Sequence, residues 1–235
     1  MTEDFKHGVK RGIPICLGYL SVSFTFGLLT VNGGFPIWIA VLISISNLTG
    51  AGQFAAMNLM IYGTTYAEIA LTTLFINLRY TLMSISLSQK LKSEIPTRKR
   101  LLIGYGITDE VFGVASLESG SLSFPFMMGL ILISLAGWLS GTVLGALICS
   151  AMPEYLSSSM GIAIYGMFIA IVIPPLKKSR PILYIVLFSI ILNMIMYYIP
   201  AFHKISTGFR VIITSLIASG IGAYLYPAKE EEENA

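Results

Sequence analysis

The sequence predicts an all-α fold, a polytopic transmembrane helical bundle of about six to eight membrane segments with one or two discontinuous or re-entrant. Three observations predict it. Of the 235 residues, 55% are hydrophobic and only 11% are charged, where soluble domains carry roughly a quarter charged residues. Mean hydropathy is +0.78. Apolar runs long enough for the ~30 Å hydrocarbon core, at about 20 residues each, follow one another with short polar intervals, and they are continuous rather than alternating, which argues against a β-barrel.

Residues 1–235 therefore read as a single integral membrane domain, with no length left for a soluble ATPase or sensor. The net charge of +3 is small, and its positive members lie between apolar runs. That suits loops facing anionic lipid rather than a nucleic-acid surface, so nucleic acid is not an expected partner. Cys16 and Cys149 sit inside apolar segments as small core residues, implying neither a disulfide framework nor a metal site. No cofactor is expected.

The segments, in order, are Ile13 to Val31, Phe35 to Tyr62, Tyr66 to Ser88, Leu101 to Leu117, Phe124 to Ala151, Ser157 to Leu176, Ile182 to Ile199 and Thr207 to Tyr226. The first follows Lys6, Lys10 and Arg11 and imitates a signal peptide, but it is too long and lacks a small-residue cleavage site, so it reads as a retained span. The second would be about 42 Å long as one helix and is interrupted at Asn47-Leu48-Thr49-Gly50-Ala51-Gly52-Gln53, where glycines and capping side chains coincide. The fourth carries Gly104, Gly106 and Gly113 beside the adjacent Asp109 and Glu110, carboxylates that a lipid-exposed helix would not hold. In the fifth, Gly137, Gly141 and Gly145 form a small-residue face, as Ser215, Ser219 and Ala223 do in the last. Gly18-Tyr19-Leu20-Ser21 in the first span is echoed by Gly137-Trp138-Leu139-Ser140 in the fifth.

Charge sets the topology. Lys6, Lys10 and Arg11, then Lys90, Lys92, Arg98, Lys99 and Arg100, then Lys177, Lys178 and Arg180 should all be cytoplasmic by the positive-inside rule. Simple alternation of spans puts the middle cluster outside. Parity is repaired if the second segment re-enters and leaves on the outer side while the fourth dips in and returns to the cytoplasm or lies at its interface. Both termini then face the cytoplasm.

Arg79 lies deep in the third segment, roughly 15 Å from Gln89 along a helix axis, where burial costs at least ~2.5 to 3.5 kcal/mol. It should face the interior and meet a carboxylate, with Asp109 and Glu110 the internal candidates, or a substrate anion suited to its planar fork. Thr73 and Asn77 share one helical stripe. A break at Thr49 to Gln53 would leave unpaired backbone N–H groups at a positive dipole end inside the membrane, an arrangement that discontinuous transporter helices use for carboxylates. Asp109 and Glu110 suit an ammonium ion or a proton. The histidines, His7 and His203, sit at segment ends and no nucleophile and base pair is apparent, so an enzyme is not expected. A passive channel for a small polar solute is the alternative these features also permit.

Thr49-Gly50-Ala51-Gly52-Gln53-Phe54, Asn77-Leu78-Arg79-Tyr80 and Thr108-Asp109-Glu110, with a Gly12-Ile13-Pro14 opening, together resemble the AzlC family of bacterial branched-chain amino acid permeases. The resemblance runs from about Phe5 to the Pro174 region. It implies the large subunit of a secondary transporter in the cytoplasmic membrane, working with a small hydrophobic AzlD-type subunit to export leucine, isoleucine, valine and sometimes methionine, coupled to the proton gradient. Tyr80 departs from the histidine expected after the arginine, which puts that coupling in question here, since a phenol with pKa near 10 suits it poorly. The resulting substrate site comprises Thr49, Gly50, Gly52, Gln53, Asn77 and Arg79, with Phe54, Met57 and Met83 as an apolar wall and Asp109 or Glu110 for the ammonium or a proton.

Overall fold

A computed structural model describes residues 3–151, 173, 176–177, 179–202 and 205–226. The expected segment Ser157 to Leu176 lies almost wholly outside the described residues. The described helices are α1 (Glu3–Asn32), α2 (Ile37–Ser46), α3 (Ala51–Ile61), α4 (Tyr66–Lys90), α5 (Thr97–Tyr105), α6 (Asp109–Leu117), α7 (Phe124–Ala151), α8 (Arg180–Tyr198) and α9 (Thr207–Leu225). Five of them, α1, α4, α7, α8 and α9, are long and apolar enough to cross a membrane.

The centre of the bundle is α1 against α7. A Cβ added at Gly137 would lie 2.4 Å from the Cys16 carbonyl oxygen, one at Gly141 2.5 Å from that of Leu20, and one at Gly145 2.0 Å from that of Phe24. Each step of four along α7 therefore meets a step of four along α1, so the two helices run parallel and the small-residue face permits backbone contact. The end of the bundle at the α1 N-terminus is called the base here, and the opposite end the crown.

Both suspect segments are broken. Between α2 and α3 the chain turns at Gly50, whose φ of +52° and ψ of −98° exclude a residue with a Cβ at low cost. Gly33, at the crown end of α1, packs on Ile61 at the end of α3, so α2 descends from the crown and α3 climbs back. The second break falls at Gly106 to Thr108. There the Thr108 hydroxyl caps α6 by accepting from the Val111 N–H at 3.3 Å, and Asp109 and Glu110 occupy the first turn, where the helix dipole favours them. Both outer ends of this hairpin are at the base: Arg100 donates to the carbonyls of Ser88 and Lys92 at 3.2 and 3.1 Å, and Arg11 donates to Glu118 at 3.0 Å. Two re-entrant hairpins thus enter from opposite ends.

Each hairpin rests on its own core. Phe54 and Met57 of α3 pack with Phe26, Leu29 and Ala146 toward the crown, while Ile103, Val111 and Ala115 pack with Leu87, Phe126 and Leu130 toward the base. The Glu68 carboxylate, buried at the start of α4, accepts from the Gly208 N–H at 2.7 Å, so α9 begins at the crown. Gly222 packs on Ile185 and Thr214 on Met196, making α8 antiparallel to α9 and returning Arg180 to the base. Lys6, Lys10, Arg11, the Lys90 to Arg100 cluster and Arg180 consequently share one end, as the charge pattern requires of a chain with two re-entrant segments.

Candidate functional site

The hairpin tips meet at mid-depth around a cavity of about 320 Å³, lined by Tyr19, Val22, Leu48, Thr49, Gly50, Ala51, Phe54, Arg79, Tyr80, Thr108, Asp109, Glu110 and Trp138. That volume is at the lower end of the range for small-molecule sites. The walls come from α1, α4 and α7, and the N-termini of α3 and α6 both open onto it.

Its polar side is organised around one cation. Arg79 Nη2 lies 2.8 Å from Asp109 Oδ2, so α4 is joined to the tip of the base hairpin. The guanidinium also sits over the Tyr80 ring, 5.1 Å from its centroid, and the Tyr80 hydroxyl donates to the Thr49 carbonyl at 3.1 Å, joining α4 to the crown hairpin. Glu110 is handled separately. Tyr19 donates its hydroxyl to the Glu110 carboxylate and stands 2.6 Å from the Thr108 hydroxyl, while its ring packs edge-on against Trp138 with centroids 5.0 Å apart. Adjacent carboxylates, about 100° apart around a helix, therefore have different partners. Val22, Leu48, Phe54 and Trp138 supply the apolar side.

Thr49, Gly50, Phe54, Arg79, Asp109 and Glu110 are brought together at this cavity; Gly52, Gln53, Met57, Asn77 and Met83 are not. Gly52 packs against α4, where a Cβ would fall 2.5 Å from Asn77 Oδ1, so this glycine and Asn77 serve a close helix approach. Gln53 is fully buried and donates to Ser44 at 3.4 Å, which in turn contacts Thr142. Met57 is fully buried in the crown core, and Met83 packs against the base core. The apolar wall is thus Val22, Leu48 and Trp138 with Phe54, not the methionines. Tyr19 and Trp138 occupy matching places in the two Gly-aromatic-Leu-Ser echoes, the one signal in the sequence that pointed to them. Among the described residues no cluster of His, Cys, Asp and Glu is arranged to hold a metal ion.

Fold and site together define a helical membrane protein in which two opposed re-entrant hairpins close on a charged central cavity. The chain belongs to the AzlC family: the family model described as "AzlC protein" matches residues 14–152, from α1 through α7. A relative from Archaeoglobus fulgidus named "Uncharacterized membrane protein" is 34% identical over 175 residues, covering 74% of this chain and 76% of the relative. The "Inner membrane protein YgaZ" of Escherichia coli is 26% identical over 186 residues, 76% of each chain. The "Branched-chain amino acid transport protein AzlC" of Bacillus subtilis is 21% identical over 227 residues, 95% of this chain and 80% of that protein. No solved structure matches the chain significantly. The protein is thus a multi-pass membrane protein of a transport-related family.

Proposed function

We propose that the protein is a secondary transporter that exports leucine, isoleucine, valine and, in some measure, methionine across a bacterial cytoplasmic membrane, using the proton gradient and a small AzlD-like membrane subunit. The base is the cytoplasmic face in this reading, with both termini inside, because the basic clusters collect there. The observation that carries the proposal is the Arg79–Asp109 pair exposed to a mid-depth cavity. A zwitterion fits it charge for charge: its carboxylate meets Arg79 and the N-terminus of α3 at Gly50 and Ala51, and its ammonium meets Asp109 or Glu110.

The apolar wall of Val22, Leu48, Phe54 and Trp138 takes the aliphatic side chain. Discrimination among leucine, isoleucine and valine is then modest, one methylene being worth only ~1 to 3 kcal/mol. The excess of two carboxylates over one guanidinium leaves a group free to carry a proton, which supports coupling in the absence of a histidine at Tyr80. Homology to a named transport protein supports transport rather than catalysis.

The test is direct. Cells lacking their own branched-chain exporters are loaded with an isoleucine- and leucine-containing dipeptide, and internal and external amino acids are followed with and without this protein and a small AzlD-like partner. Lower internal leucine or isoleucine, dependent on Arg79, is expected. Unchanged pools with a correctly inserted complex overturn the reading, and flux linear in concentration without trans-stimulation reassigns the protein as a channel.

A further inference from the structure

A carrier that moves a zwitterion in net amounts must cross its occluded state both with and without substrate, and the substrate-free crossing is the harder electrostatic problem. An unpaired guanidinium or carboxylate sealed away from water lacks the solvation that the open site supplies. The cavity contains a built-in answer. Asp109 and Arg79 are in direct contact at 2.8 Å, and their side chains are 38% and 42% exposed, so neither is closed in by packing. They come from different elements, α6 and α4. Glu110 does not take the place of Asp109 opposite Arg79, because it projects about 100° away and engages Tyr19.

We propose that the Arg79–Asp109 ion pair is the substrate's replacement in the unloaded site, and that by closing on itself it lets the empty carrier reorient, making the protein a net exporter rather than an obligatory exchanger. This rests on the zwitterion-carrier reading above. When an amino acid binds, its carboxylate takes Arg79 from Asp109 and its ammonium takes Asp109 from Arg79, so the charges of the site stay paired in both forms. With the pair closed, α4 also bridges both hairpin tips, through Asp109 on one and through the Tyr80 hydroxyl on the Thr49 carbonyl of the other. Losing the Asp109 charge strands Arg79 only when the site is empty, because in the loaded site the substrate carboxylate still covers it.

The experiment uses the full chain with its small partner subunit in proteoliposomes loaded with labelled leucine, at equal pH on both sides. Efflux is measured into leucine-free buffer and into buffer with saturating unlabelled leucine. Wild type releases label in both. In Asp109→Asn, exchange persists with a raised half-saturation concentration, while the ratio of net efflux to exchange falls at least tenfold; Asp109→Glu restores that ratio. A wild-type ratio in Asp109→Asn overturns the inference, and so does loss of both fluxes in an Asp109→Asn protein that inserts and folds. If that variant does not insert, Asp109→Cys takes its place: net efflux rises on labelling with an anionic methanethiosulfonate and not with a neutral one, and an equal response to both overturns the inference. Wild type that moves no leucine in either direction overturns the transporter reading itself.

Discussion

Tyr105, in the last turn of α5, donates its phenolic hydroxyl to the backbone carbonyl of Ile45 in the last turn of α2. The two re-entrant hairpins are therefore bonded to each other at mid-depth as well as to the long helices. Ile45 is among the last carbonyls of a ten-residue helix, which have no partner within the helix itself.

Tyr105→Phe removes that donor and keeps the ring. It should lower stability by about 0.5 to 1.5 kcal/mol, read as a fall in the melting temperature of detergent-solubilised protein monitored by size-exclusion profile. An unchanged midpoint means the tips are held by packing alone.

Arg79→Lys keeps the charge and loses the planar fork that binds a carboxylate through two parallel hydrogen bonds. Half-saturation for leucine should rise about tenfold, the equivalent of ~1.4 kcal/mol. Transport indistinguishable from wild type removes Arg79 from the carboxylate role.

Gly145→Ala places a Cβ 2.0 Å from the Phe24 carbonyl oxygen, and Gly141→Ala places one 2.1 Å from Ser23 Oγ. Overpacking of this kind costs about 1 to 3 kcal/mol. The Gly145 change should be the more harmful, because backbone lies 2.0 Å from its Cβ, whereas at Gly141 the nearest atom is a hydroxyl able to rotate and the nearest backbone atom, the Leu20 carbonyl oxygen, is at 2.5 Å. Gly18, with nothing near its Cβ, should accept alanine with a melting temperature close to that of wild type.

Thr64 follows α3 at the crown and Ser93 follows α4 at the base. With the base cytoplasmic, Thr64→Cys should react with a membrane-impermeant thiol reagent from outside the cell and Ser93→Cys only after the cytoplasmic face is opened. Labelling of Thr64→Cys from the cytoplasm alone overturns the re-entrant topology in the membrane.

Glu118 links the base hairpin to α1. The hydrogen bond with His7, and then the nearby Arg11, hold its carboxyl below its ordinary value of 4.5. A carboxyl whose pKa is lower folded than unfolded contributes stability above the unfolded value and loses it as pH falls through the folded one. Glu118→Gln should thus melt below wild type at neutral pH, with the gap shrinking below pH 4.5 and closing as the folded carboxyl protonates. A gap that persists under acid assigns the loss to packing.

Both broken segments were legible because breaks in a membrane helix need residues that ordinary apolar composition does not supply. Glycine at a positive φ, capping threonine and acidic residues in a first turn are all visible as letters. The Arg79 partnership was legible for the same reason, since a guanidinium at that depth must be matched; which of the adjacent carboxylates matches it depends on rotation about α6 and was not. Met57 and Met83 show the other limit. Where apolar side chains occur on several faces of a helix, the sequence does not say which face meets a cavity, and α3 turns Phe54 toward the cavity and Met57 into a core. Val22 and Trp138 were overlooked for that reason, and Leu48 because it lies in the turn between α2 and α3; the Gln53 amide nitrogen donates to Ser44.

The glycine-lined contact of α1 with α7 also divides the molecule mechanically. Backbones interlocked every four residues resist sliding past one another, so this pair is a keel, and the short helices α2, α3, α5 and α6 meet over it with their tips tied to α1, α4 and each other. The two ends of the keel are thus capped by different hairpins of a single chain.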